Sequence, residues 1–188
     1  MGLPIFTVFL ALQLLLLAVG ATWMTIAGYP FLKEPNPLRD TVALAALLGC
    51  LWGLEQVFSR LFPRSFRATE ALHSQIGSLM RAQGMTHHQA LILALASGLG
   101  EEVLFRGAIQ NALFGGWIGV GLQALVFAAL HPTADRKAWV YPVYVFCAGL
   151  LFGATYLLTG SLVAGVLAHY INNARGFYQL LEEQRARR

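Results

Sequence analysis

Apolar residues run along this chain in long blocks, and polar residues gather in the short intervals between them. A hydrocarbon core about 30 Å thick needs roughly 20 apolar residues in a helix. Six blocks suit that length: 4–27, 40–58, 89–113, 117–131, 139–158 and 161–180. The intervals hold turn signals: Tyr29-Pro30 and Glu34-Pro35-Asn36-Pro37 after the first block, Gly115-Gly116 after the third, His131-Pro132 after the fourth and Gly160 after the fifth. The pattern predicts an all-α fold, a polytopic transmembrane helix bundle of about six spanning helices. Between the second and third blocks, Leu72, Ile76, Leu79 and Met80 fall at helical spacing, with Arg67, Glu70, Gln75 and Arg81 free to take the other face. That stretch predicts an amphipathic helix, either lying on the membrane surface or packed across one end of the bundle.

Composition agrees with a membrane protein. Of 188 residues, 57% are hydrophobic and 12% charged, whereas soluble domains carry about a quarter charged residues. No linker, low-complexity run or internal repeat divides the chain, so residues 1–188 read as a single membrane domain. The first block lacks a basic leader and exceeds the roughly 7–15 residues of a signal-peptide core, so it is expected to be a retained span.

The net charge of +4 comes from basic residues scattered over short loops and the tail, which argues against nucleic acid as a partner and for membrane topology. One side of a six-span topology collects Arg60, Arg64, Arg67, Arg81, Arg136, Lys137, Arg185, Arg187 and Arg188, and the other only Lys33 and Arg39. By the positive-inside rule both termini are expected to be cytoplasmic. Cys50 and Cys147 lie in separate apolar blocks without metal-ligand spacing and read as packing residues.

Against this background a few polar residues stand out. Glu101 and Glu102 fall near the middle of the third block, with Arg106 four residues beyond Glu102. A charge at that depth costs several kcal/mol unless paired. Helical geometry puts Glu102 and Arg106 on one face as an ion pair and turns Glu101 about 100° away, toward another neighbour. His131 closes the fourth block one turn after Phe127, and His169 and Asn173 share a face of the sixth. Singly, each has a structural reading as interhelical glue or an ion pair. Together, a carboxylate, two imidazoles, an amide and a charge pair exceed what helix packing requires. Such a set can activate water: a buried glutamate with His131 removes a proton from a water attacking a carbonyl, and His169 with Asn173 offers donors to the resulting oxyanion.

The ordered motifs Glu-Glu-x-x-x-Arg at 101–106, Phe-x-x-x-His at 127–131 and His-x-x-x-Asn at 169–173 resemble those of the CAAX-processing endopeptidase and bacteriocin-processing (CPBP, or Abi) family of glutamic intramembrane proteases. The resemblance covers residues 89 to about 176; the first two blocks and the amphipathic stretch add no signature. It implies an intramembrane endopeptidase with neither cofactor nor metal, acting on a membrane-associated protein or peptide. Glu101 would be the general base and His131 its partner on the water. Glu102 and Arg106 would support the site, while His169 and Asn173 stabilise the oxyanion. Maturation of exported peptides and removal of a C-terminal sorting segment are roles the resemblance suggests, and the compact chain points to a bacterial inner membrane.

Other readings compete. Glu101, Glu102, His131 and His169 could ligate zinc in a membrane metalloprotease, although no His-Glu-x-x-His is present and Arg106 would oppose a cation. A non-catalytic immunity or assembly factor would keep the fold but not need Glu101 or His131. A proton-coupled transporter would use intramembrane Glu and His but usually shows repeated halves. Glu55, His73, His87, His88 and Arg175 are read as structural or surface residues.

Overall fold

The computed structural model describes residues 4–31 and 36–182. Lys33 and the Glu34-Pro35 turn, and Arg185, Arg187 and Arg188 of the basic tail, lie outside the described residues. Helix α1 spans Ile5–Ala27, α2 Pro37–Leu61 and α3 Pro63–Ala82. Helix α4 (His87–Glu101) continues without a break into a π-helical segment, π1 (Glu102–Ile109), and a last turn, α5 (Gln110–Ala112). Helices α6 (Gly116–Ala129), α7 (Val140–Thr159) and α8 (Val163–Glu182) complete the bundle.

The helix ends follow from local chemistry. Gly28 closes α1 and Gly160 closes α7, both with left-handed backbone. Asn36 caps α2 by accepting from the Arg39 N–H, with Pro37 in the first turn, where a missing N–H does no harm. Thr86 and Gln89 form a reciprocal capping box at the start of α4, satisfying two N–H groups that a helix start leaves unbonded.

Every block expected to span forms a helix. Among the described residues, three segments are long and apolar enough to cross a membrane unaided: α1, α2, and α7 with the turn of 3₁₀ helix before it. The third block is interrupted by its own charges, α6 has only 14 residues, and α8 carries polar residues on its inner face. On α1 only Gly20 and Met24 are buried, and Leu14, Leu15 and Ile26 are exposed, as expected of a helix whose surroundings are hydrocarbon. The protein is an all-α membrane helix bundle.

Helix α3 settles how the amphipathic stretch is used: it packs across one end of the bundle. Its Arg81 Nη1 donates to the Leu181 carbonyl at 2.7 Å, and Ser65 Oγ accepts from the Val140 N–H at 3.2 Å. Just beyond it, Gln83 Oε1 accepts from the Ile5 N–H at 2.6 Å. The starts of α1 and α7 and the end of α8 therefore meet at α3, and His87 at the start of α4 pairs with Glu182 at 3.0 Å. Met80 is buried against Leu181, Met85 and Leu93, while Ile76 and Leu79 of the same apolar stripe stay exposed.

Candidate active site

Helix α4 runs through the centre of the bundle between α1 and α8. Its close approach to α1 depends on Gly100, where a methyl group would stand 2.6 Å from the Gln13 carbonyl oxygen. At Glu102 the helix widens into π1, and Gln110 N–H reaches back to the Phe105 carbonyl. Asn111 holds the exit of this segment, donating from Nδ2 to the Gly107 carbonyl at 2.6 Å and to Tyr156 Oη at 3.0 Å. Isolated π turns concentrate at functional sites, and this one carries Glu102 and Arg106.

Glu102 and Arg106 are 1% and 0% exposed, and Arg106 Nη1 donates to Glu102 Oε1 at 2.9 Å. The expected ion pair is present. The guanidinium lies over the rings of Phe127 and Phe152, 4.6 and 4.9 Å from their centroids, so two π faces supplement the carboxylate. Glu102 Oε1 also accepts from His169 Nδ1 at 3.0 Å. The carboxylate fits against α8 only because residue 165 is glycine: a Cβ there would come within 2.7 Å of Glu102 Oε2.

Glu101, buried like its neighbour, points elsewhere, as the helical geometry requires. It is not without partners. Its Oε1 accepts from Ser97 Oγ at 2.9 Å and from Gln13 Nε2 at 3.2 Å, and its Oε2 lies 3.5 Å from His169 Nε2. His169 thus sits between the two glutamates, with Nδ1 toward Glu102 and Nε2 toward Glu101. Asn173, one turn along α8, donates from Nδ2 to Ser97 Oγ at 3.0 Å. An amide nitrogen carries two hydrogens, so this bond leaves the second available.

His131, at the end of α6, is held by Nδ1 against the Phe127 carbonyl at 2.8 Å. A carbonyl only accepts, so Nδ1 carries the hydrogen and Nε2 of the neutral ring keeps a lone pair. Glu101, His131, His169, Asn173 and Ser97 all line one cavity of about 590 Å³ that reaches from the bundle centre to α3. The structure therefore brings four of the six sequence-derived site residues onto one cavity wall and places the Glu102–Arg106 pair directly behind them. Among the described residues, no three His, Cys, Asp or Glu side chains are grouped to hold a metal ion, and Glu102 is committed to a guanidinium.

Sequence reasoning missed Gln13 and Ser97. Ser97 precedes Glu101 by one helical turn, a spacing legible in the sequence; Gln13 is the one amide in a predominantly apolar first helix, and that is its signal. His73, read as a surface residue, lines the cavity and stacks edge-on against Tyr141 at 5.4 Å, and burial pushes its imidazole below the ordinary value. Glu55 and Arg175 form a two-pronged ion pair at 2.9 and 3.0 Å on the cavity wall.

A buried glutamate pair, a histidine between them and a compensating arginine, set in membrane helices around a cavity, define the class: an integral membrane protein with a buried polar centre. Residues 84–175 match the family described as type II CAAX prenyl endopeptidase Rce1-like. That segment, just under half of the chain, holds all three motifs and is similar to this peptidase family, in line with the resemblance to the CPBP proteases. The chain is also 36% identical, over 84 residues, to the uncharacterized protein YpbD of Bacillus subtilis (strain 168). The match covers 45% of this chain and 41% of that relative. No solved structure matches the chain.

Proposed function

We propose that the chain is a CAAX protease-like intramembrane endopeptidase in which Glu101 activates water to hydrolyse a peptide bond of a membrane-associated protein or peptide. The observation that carries this reading is the state of Glu101: a buried carboxylate on a cavity wall, one oxygen held by two donors, the other facing a histidine. Glu101 Oε2 takes a proton from a water that His131 Nε2 also holds, and the hydroxide adds to the scissile carbonyl carbon. The negative charge moves to the carbonyl oxygen, where the second Asn173 N–H and a protonated His169 Nε2 meet it. As the C–N bond breaks, the proton on Glu101 passes to the leaving nitrogen. Glu102 and Arg106 hold His169 and the π segment in place.

The same reading takes six spans, both termini on the cytoplasmic side and a bacterial inner membrane as the setting. It is supported by the meeting of the starts of α1, α4 and α7 with the end of α8 at α3, and by Arg60, Arg64, Arg67, Arg136 and Lys137 near that end of the chain's loops. The test compares membrane proteins from cells carrying wild type, Glu101→Gln and His131→Ala, mapping new peptide termini with and without a chelator. Termini that vanish in both variants and persist under chelation establish the glutamic protease and identify its substrate. Termini lost only on chelation favour the zinc reading, and none dependent on Glu101 leaves the immunity or assembly role.

A further inference from the structure

We propose that Gln13 and Ser97 are positioning residues that decide which oxygen of Glu101 reacts: both donate to Oε1, which leaves Oε2 to take the proton of the attacking water. The inference rests on Glu101 being the base.

Three observations converge on it. Ser97 is buried, and its hydroxyl accepts from Asn173 while lying 2.9 Å from Glu101 Oε1. A hydroxyl has one hydrogen, and an acceptor site filled by an amide N–H leaves that hydrogen for the carboxylate. The chain Asn173 to Ser97 to Glu101 therefore has one direction, and it ties α8 to the base through α4. Gln13 brings the second donor from α1, outside the segment 84–175 that carries the family signature. A carboxylate only accepts, so Nε2 must face it, and the remaining amide oxygen is left buried without a hydrogen-bond partner. Burying an unsatisfied oxygen is unfavourable, and the helix bears that cost at Gln13. The backbone fixes the arrangement as well: Gly100 lets α1 approach within contact of α4 at the level of Gln13. With Oε1 occupied twice, the carboxylate is held against rotation and Oε2 faces His169 Nε2 across 3.5 Å.

The test uses the purified full-length chain in detergent. Difference infrared spectra, wild type minus Glu101→Gln, isolate the Glu101 carboxyl band. Ser97→Ala and the near-isosteric Gln13→Met should each shift that band, and the double variant should shift it further. Ser97→Thr, which keeps the hydroxyl, should return it toward wild type. Gly100→Ala, which moves α1 away without removing a polar group, should reproduce the shift of Gln13→Met. The rate at which Glu101-dependent termini form should fall about 10- to 100-fold for each donor lost, as expected for a hydrogen bond to a charged group. An unchanged band in folded Ser97→Ala and Gln13→Met overturns the proposal, and so does a shifted band with an unchanged rate. A shifted band where no terminus depends on Glu101 removes the protease reading instead, so the two failures are told apart.

Discussion

Two carboxylate–guanidinium pairs in this molecule have nearly the same contact distance and opposite settings. Arg175 and Glu55 meet through two parallel bonds of 3.0 and 2.9 Å, with side chains 46% and 25% exposed. Arg106 and Glu102 meet through one bond of 2.9 Å, at 0% and 1% exposure. Judged by geometry, the first pair is the better one. Judged by consequence, the second matters far more, because removing one partner of a buried pair leaves a charge that neither water nor lipid can solvate. The buried guanidinium even leaves Nε and Nη2 without hydrogen-bond partners, relying on the faces of Phe127 and Phe152. Burial, more than bond count, sets what each pair does.

The sharpest way to break the comparison is Arg106→Met. It strands Glu102 and should cost about 3–5 kcal/mol, read as a lowered denaturant midpoint of the purified protein; a loss no larger than that of Arg175→Ala would overturn the contrast. Replacing both members, Glu102→Leu with Arg106→Met, should recover part of that stability while processing stays lost, which separates the charge penalty from the support given to His169. Next comes Gly165→Ala, whose methyl presses on Glu102 Oε2. Overpacking of this kind costs about 1–3 kcal/mol, and the same denaturation measurement should show it without any change in charge. The smallest effect belongs to Glu55→Gln or Arg175→Ala. Partly exposed pairs contribute about 0–1 kcal/mol and weaken with salt, so the midpoint should move little and less still at high ionic strength.

A similar contrast separates the two glutamates. The two share His169, but Glu102 adds an arginine and a fitted glycine, whereas Glu101 adds two neutral donors and faces the cavity. Adjacent positions on one helix thus face different surroundings, and the proposed mechanism gives the reaction to Glu101 and the support to Glu102. The amide and hydroxyl that make the difference came from α1 and from one turn earlier on α4.

Much of the arrangement was legible beforehand. Blocks of apolar residues predict the helices because hydrocarbon admits only backbone that bonds to itself, and the Glu102–Arg106 pairing follows from a four-residue spacing. His131, His169 and Asn173 were identified because polar side chains in such helices need partners. Less legible were the π turn beginning at Glu102, which no local composition rule marks, and Gln13, which stands far from Glu101 in sequence. Helical geometry turns Glu101 toward another neighbour without naming it, and that neighbour comes from packing: Gln13, Ser97 and His169.

By itself, then, the sequence determined that this is a membrane helix bundle, which helices carry charge, and which residues must meet inside it. Hydrophobic periodicity and the cost of buried charge act locally along a chain, so they can be read from it. Only the tertiary structure decided that α3 closes one end of the cavity, that His169 stands between the two glutamates, and that Gln13 and Ser97 occupy a single oxygen of Glu101. Those facts depend on how far apart helices settle, and that distance is set by side-chain volumes on both faces at once, as at Gly100 and Gly165.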